Sequence, residues 1–216
     1  MTATIAFDLD GTLVDSIDHI HHAVSAGLSE MALPPLTRDE TQGFVGRGLP
    51  VLLQRALDHL GQSQDLHADL SDRTMRHYVD TPSDPASVYP GAVAALTALQ
   101  SVGYHLTLCT NKPLAATRTT LRDVGLERFF NTVIAGDSLP TRKPEPEMLL
   151  AALGDAPRAL YVGDSEVDAE TASRAGIRFL LFTEGYRKAP VDALQHTATF
   201  SDFAVLPDLV ARHLPD

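Results

Sequence analysis

Five short apolar runs, residues 4–10, 104–110, 132–136, 160–164 and 179–183, are separated by stretches with helical spacing. The stretches between the later runs, residues 91–101, 113–124, 144–153 and 165–175, stop at or just before Gly103, Gly125, Gly154 and Gly176. Glycine supplies the left-handed conformation in which many helices end. Strands that alternate with helices pair in parallel, and runs that lack polar alternation are covered on both faces. The expected fold class is therefore α/β, a doubly wound parallel sheet.

One interval breaks the alternation. Residues 15–78 show only helical spacing, with Ile17, Ile20, His21, Val24 and Leu28 on one stripe and Leu53, Ala56, Leu57 and Leu60 on another. The stretch is too long for one crossover helix, and the Pro-rich TPSDPASVYPG (residues 81–91) reads as its return linker. The expected organisation is an α/β core, residues 1–14 and 85–216, with an α-helical cap inserted at residues 15–84. A length of 216 residues, at about 150 residues per domain, suits one core with a smaller attachment.

Charge and cysteine content narrow the function. Seventeen Lys and Arg against 28 Asp and Glu leave a net charge of −11, which repels nucleic acid and anionic lipid outside a local positive pocket. The single cysteine, Cys109, excludes an intrachain disulfide and the two-cysteine zinc and redox signatures. No Lys or Arg precedes Arg38 and no apolar run approaches a membrane span. The expected protein is cytoplasmic, a monomer or homodimer, with no nucleic-acid or membrane partner.

Ligands of open parallel sheets bind beyond the carboxyl ends of the strands, so the residues at each exit matter most. The first run delivers Asp8, Asp10 and Gly11 (DLDGT), the second Thr110 and Asn111 (TNK), and the fourth Gly163 and Asp164, with Asp168 four residues on (GDSEVD). Lys143 lies in a Pro-flanked loop, TRKPEP. Together they offer carboxylates for a hard cation, a carboxylate nucleophile, an ammonium, and hydroxyl and amide donors for phosphoryl oxygens. Asp8 and Asp164 suit Mg²⁺, which takes one or two carboxylates and fills its shell with water and phosphate oxygens. A cation is needed because a carboxylate attacking a phosphate dianion is otherwise repelled. Lys143 supplies a second one. A turn at Gly11 rotates Asp10 toward the leaving group, where it would protonate the alkoxide and then activate water.

These residues resemble the haloacid dehalogenase-like hydrolase superfamily, whose four ordered motifs match Asp8-Leu9-Asp10-Gly11-Thr12, Thr110-Asn111, Lys143-Pro144 and Gly163-Asp164-Ser165 with Asp168. The resemblance implies Asp8 as nucleophile, Asp10 as acid and base, Thr110 and Lys143 at the phosphate, and magnesium on Asp8, the Asp10 backbone carbonyl and Asp164. Dehalogenases of that superfamily generally lack the second aspartate, present here as Asp10. Phosphonatases need a cap lysine, whereas Lys112, Lys143 and Lys188 all lie outside the expected cap. Sugar-phosphate mutases usually carry Val where Thr12 stands. The chain is most similar to bacterial phosphoglycolate phosphatases, through DLDGTLVDS (residues 8–16), FVGRGLPVLLQRAL (44–57), TNKP (110–113) and KPEP (143–146). The resemblance implies a magnesium-dependent phosphomonoester hydrolase acting through an aspartyl-phosphate on a small phosphorylated metabolite, 2-phosphoglycolate. In a loop between Gly46 and Gly48, Arg47 would pair with the carboxylate of that substrate.

Other readings stand beside this one. A sugar phosphate, nucleotide or pyrophosphate would need only a different cap, and a non-catalytic phospho-acceptor domain would share the strand-end aspartates, Thr and Lys. Asp168 either orients Lys143 or a metal-bound water, or only complements a helix dipole. Lys112 is expected to be a solvated loop lysine. Cys109 reads as a buried thiol, and His19, His21 and His22 as residues on different faces of one helix. Gly43, Gly46 and Gly48 imitate part of a dinucleotide loop, but no strand precedes them.

Overall fold

The computed structural model describes residues 3–214, so the outermost ends of the expected core, residues 1–2 and 215–216, lie outside the described residues. Among these residues six strands form one parallel sheet: β1 (Thr4–Phe7), β2 (His105–Cys109), β3 (Thr132–Ile134), β4 (Ala159–Gly163), β5 (Arg178–Phe182) and β6 (Ala198–Phe200), in the order β3-β2-β1-β4-β5-β6. The chain builds β1, β2 and β3 in one direction and then returns to place β4 against the other side of β1. The two halves diverge between β1 and β4, where the register pairs Phe7 with Val162. Such a divergence leaves a crevice at the strand exits.

Among the described residues nine α-helices complete the fold: α1 (Ile17–Glu30), α2 (Arg38–Phe44), α3 (Leu49–His59), α4 (His67–Asp80), α5 (Ala92–Ser101), α6 (Leu114–Asp123), α7 (Glu147–Leu153), α8 (Glu166–Ala175) and α9 (Leu206–His213). The two-residue period of a strand sorts the sheet's side chains between two layers. Ile5, Phe7, Leu106, Leu108, Leu160, Val162, Leu180 and Phe182 pack with Leu96 and Leu99 of α5, Leu121 of α6, and Leu206 and Val210 of α9. On the opposite face Ala6, Cys109, Tyr161, Phe179 and Leu181 meet Met148 and Leu149 of α7 and Ala169 and Ala172 of α8. That two-sided burial explains why the strands read as continuous apolar runs.

Helices α1–α4 have a core of their own, built on Val24, Leu28, Leu53, Leu57 and Leu70, to which α6 contributes Ala116. Two connections join this bundle to the sheet, and they run side by side: Tyr89 N donates to Leu13 O at 3.0 Å and Asp15 N to Ser87 O at 2.7 Å. Ser165 caps α8 through a reciprocal box with Asp168, and Gly176 ends it in the left-handed region. Among the described residues no helix is long and apolar enough to cross a membrane.

Strand β6 and helix α9 extend the fold beyond the five strands read in the sequence. They bring Phe200 and Phe203 against Phe182, with ring centroids 5.3 and 5.0 Å from it. Replacing the buried Phe203 with Ala leaves a cavity in that cluster and is expected to cost about 3–5 kcal/mol of stability, measured as the change in unfolding free energy in urea. A loss below about 1 kcal/mol would mean that β6 and α9 are peripheral to the core.

Candidate active site

The sheet delivers three of the acidic side chains. Asp8 follows β1 directly, Asp164 follows β4 directly, and Asp168 projects from the first turn of α8. Asp8, Asp164 and Asp168 are buried, and one oxygen from each lies within 4.8 Å of the others. Lys143, from the loop before α7, inserts its ammonium among them, 3.0 Å from Asp8 Oδ1 and 2.7 Å from Asp168 Oδ1.

The partners of each group separate the roles that the sequence left open. Asp168 is filled by the protein: Oδ1 also accepts Tyr161 Oη at 2.6 Å, and Oδ2 accepts Ser165 Oγ at 2.6 Å and Ser165 N at 3.1 Å. It therefore anchors Lys143 and the start of α8. Tyr161, which no sequence motif flags, also accepts a hydrogen bond from Lys143 Nζ at 2.9 Å. Asp8 differs. Its Oδ1 forms an ion pair with the Lys143 ammonium at 3.0 Å, and among the described residues the buried oxygen has no other partner. Asp164 is aimed by Thr12, whose hydroxyl donates to Oδ1 at 2.7 Å, and by Tyr186 N, which donates to Oδ2 at 2.6 Å.

Burial and charge then set the protonation states. Burial alone would raise Asp168, but Lys143 and the hydrogen bonds from Ser165 and Tyr161 outweigh it and hold the carboxyl below its ordinary range. Burial pushes Asp8 up to about 7; Lys143 opposes this, while Asp168 and Asp10 add to it. Burial, then Asp168 and Asp8, raise Asp164 well above the usual carboxylate range. For Lys143, burial opposes the charged form, but Asp168 and Asp8 overcome it and raise the ammonium further. One ammonium thus serves two carboxylates, and Asp168 takes most of it. Asp8 and Asp164 form an all-oxygen donor pair, short of positive charge and holding one buried oxygen with no partner but the shared ammonium. A hard divalent cation fits such a pair.

Gly11 makes the approach of these groups possible. It stands at φ +82°, and a Cβ there would lie 2.6 Å from Asp164 Oδ2. The turn it opens, with Gly11 N bonded to Val14 O at 2.8 Å, carries Asp10 out of the strand as its sequence predicts. Asp10 Oδ1 accepts Ser16 Oγ at 2.6 Å and Lys112 Nζ at 3.0 Å. Ser16 occupies the N-cap position of α1 but caps no helix amide; its hydroxyl donates to Asp10.

Lys112 corrects the sequence reading. It is not a solvated loop lysine: its side chain is 1% exposed, and its ammonium also donates to Tyr78 Oη of α4 at 2.5 Å. Nothing adjacent in sequence signals this, since both partners are more than thirty residues away. Asn111 is also used differently from its expected role as a phosphate donor. Its amide clasps the Lys143 backbone, with Lys143 N donating to Oδ1 and Nδ2 donating to Lys143 O, both at 3.0 Å. The same Nδ2 reaches Gly46 O on the helical bundle at 3.1 Å. Gly48, at φ +83°, leaves room for that approach, because a Cβ would lie 2.8 Å from Asn111 O. Thr110 is buried beside them and accepts Lys112 N at 3.3 Å.

A cleft of about 210 Å³ joins the two parts of the molecule over these groups. Asp8, Asp10, Thr110, Asn111, Lys112 and Asp164 line its floor, and Arg47, Arg55, Leu49, Leu52 and Tyr78 come from the bundle. Arg47 is exposed and free of ion pairs among the described residues. The remaining candidates stay out of the chemistry. His19 bonds Thr81 O, His21 bonds Thr41 Oγ1 and His22 is exposed. Cys109 is buried within β2, and burial pushes its thiol up to about 12.

Because Asp8 binds a proton more tightly in the folded chain than in the unfolded one, folding takes up protons between about pH 4 and 7. Metal-free protein therefore loses stability as pH rises through that window. Asp8→Asn is expected to raise the Tm of metal-free protein by several degrees at pH 8, with the gain shrinking toward pH 5. Thermal melts in chelator at both pH values check this; a gain that is the same at both, or absent, contradicts it.

Comparison with known proteins agrees with this geometry. The model of the haloacid dehalogenase-like hydrolases matches residues 5–182. The chain is 51% identical over 214 residues to a phosphoglycolate phosphatase of Cereibacter sphaeroides, covering 97% of this chain and 98% of that one. It is 42% identical to a phosphoglycolate phosphatase of Rhodobacter capsulatus, covering 97% of each. The crystal structure of a predicted phosphoglycolate phosphatase from Haemophilus somnus superposes with a TM-score of 0.86 at 30% identity, covering 97% and 98% of the two chains. With its motifs at the strand exits and its sheet matched along nearly the whole length, the chain belongs to the haloacid dehalogenase-like hydrolase family.

Proposed function

We propose that the protein is a magnesium-dependent phosphomonoester hydrolase that cleaves 2-phosphoglycolate through an aspartyl-phosphate on Asp8. The observation that carries this reading is the convergence of Asp8, Asp164 and Lys143 under one cation-rimmed cleft, in a chain half identical to a phosphoglycolate phosphatase. Residues 15–84 act as a cap over a core of residues 1–14 and 85–216, and cap closure excludes water from the cleft.

Asp8, the Asp10 carbonyl and Asp164 would hold Mg²⁺, which when bound neutralises charge on the phosphate and keeps Asp8 ionised. The Asp8 carboxylate attacks phosphorus, while Thr110 and Lys143 face the phosphoryl oxygens. Asp10 gives its proton to the leaving glycolate oxygen. Asp10, now a base, takes a proton from water, and the hydroxide displaces phosphate from Asp8. Ser16 and Lys112 fix the Asp10 carboxyl for both transfers. From the cap, Arg47 faces the substrate carboxylate.

A phospho-acceptor domain is a poorer match, because Asp10 beside the cleft gives the acyl phosphate a built-in hydrolytic base. Asp8→Asn is expected to abolish phosphate release from 2-phosphoglycolate, and Asp10→Asn to lower kcat by about 10²–10⁴-fold. Chelation silences the wild type, and added Mg²⁺ restores it. A panel of phosphorylated acids, sugars and nucleotides with Mg²⁺ tests the substrate; preference for a sugar phosphate or nucleotide would contradict phosphoglycolate. Arg47→Ala is expected to lose about tenfold or more in kcat/KM for 2-phosphoglycolate and far less for p-nitrophenyl phosphate. Equal losses on the two esters would remove Arg47 from recognition.

A further inference from the structure

The cleft contains one basic side chain whose position is fixed from two directions. The Lys112 ammonium is held by Asp10 Oδ1 at 3.0 Å from the core and by Tyr78 Oη at 2.5 Å from α4. It also lies over the Tyr78 ring, 4.2 Å from the centroid. An ammonium has three donors. Two are accounted for, and Lys112 lines the cleft with Asp8 and Asp10. We propose that Lys112 reads the substrate carboxylate from the core side of the cleft and sets the preference for a small phosphorylated acid, an inference that rests on the phosphoglycolate reading above.

Distance brings Lys112 to that carboxylate from the core side, in addition to Arg47 from the cap. Asp10 reaches the ester oxygen as a general acid at about 3 Å. In 2-phosphoglycolate the carboxylate oxygens lie within about 4 Å of that same ester oxygen, one methylene and one carboxyl carbon away. The substrate carboxylate is therefore confined to the neighbourhood of Asp10, where Lys112 already stands. Arg55 and Lys188 are engaged at the rim with the carbonyls of Phe44 and Gly43, and Arg47 is exposed. A flexible rim arginine pays side-chain entropy to make the contact, whereas Lys112 is already ordered. Its burial also weakens solvent screening of the pair. An ester that lacks the carboxylate would leave the third donor unanswered, which is how a polar site rejects an incomplete substrate. Because Tyr78 belongs to the helical bundle and Lys112 to the core, the ammonium is placed this way only when the two are together.

The test compares 2-phosphoglycolate with 2-hydroxyethyl phosphate, which keeps the phosphate and the two-carbon skeleton but replaces the carboxylate with an alcohol. Lys112→Met, in the full chain with Mg²⁺, is expected to lower kcat for both esters alike through looser placement of Asp10. Its KM should rise for 2-phosphoglycolate alone, so that the ratio of the two kcat/KM values falls at least about tenfold. An unchanged ratio overturns the proposal, whether both activities fall together, as for a residue that only positions Asp10, or neither falls. Tyr78→Phe retains the charge and removes its anchor, and keeps the question answerable should Lys112→Met fail to fold. It is expected to lower the ratio about threefold, and an unchanged ratio there is equally fatal. Wild-type enzyme with no preference between the two esters would instead refute the phosphoglycolate reading, and the inference falls with it.

Discussion

The buried ammonium of Lys143 is the interaction on which the site depends. Taking a carboxylate or an ammonium out of water costs about several kcal/mol per ion, and only close, well-bonded partners offset it. Lys143 meets that condition with Asp168 and Tyr161, and its backbone is clasped by Asn111. The same ammonium extends to Asp8. Asp168 has the larger share of the charge because it also collects hydrogen bonds from Ser165 and Tyr161. Asp8 has the smaller share, which leaves it in need of a cation.

This asymmetry organises the fold around it. β1 and β4 lie side by side and carry Asp8 and Asp164 to the same exit, and α8 begins there with the capping box that fixes Asp168. The turn at Gly11 sends Asp10 away from the strand, toward the cleft that the helical bundle covers. Two hydrogen bonds across the cleft, Asn111 to Gly46 and Lys112 to Tyr78, join a residue beside the chemistry to a residue of the bundle.

The elements that generate this arrangement were legible where their signal is local. Continuous apolar runs marked β1 to β5, and Gly176 marked the end of α8. Helical periodicity without strands marked α1 to α4. Strand β6 escaped because three residues carry no measurable period. Helix α9 and its C-cap carry Leu206, Val210 and Leu214 at four-residue spacing, a period that the sequence does contain. The acidic and basic residues of the site were legible from their order at strand exits. The partners that tune them were not. Tyr161 reads as one more apolar strand residue, Tyr186 sits in a loop without a motif, and Lys112 looks like an ordinary loop lysine. Their roles come from contacts between distant segments, which spacing along the chain does not encode. Asn111 was found by its motif, yet its amide serves the backbone of Lys143.

The central claim is that Asp8 accepts the phosphoryl group. Rapid acid quenching of the enzyme during turnover of ³²P-labelled 2-phosphoglycolate, followed by peptide mapping, tests it most directly. The account predicts acid-stable label on the peptide that contains Asp8, discharged by hydroxylamine as an acyl phosphate must be. Label on another residue, or turnover with no labelled protein at any quench time, would contradict it.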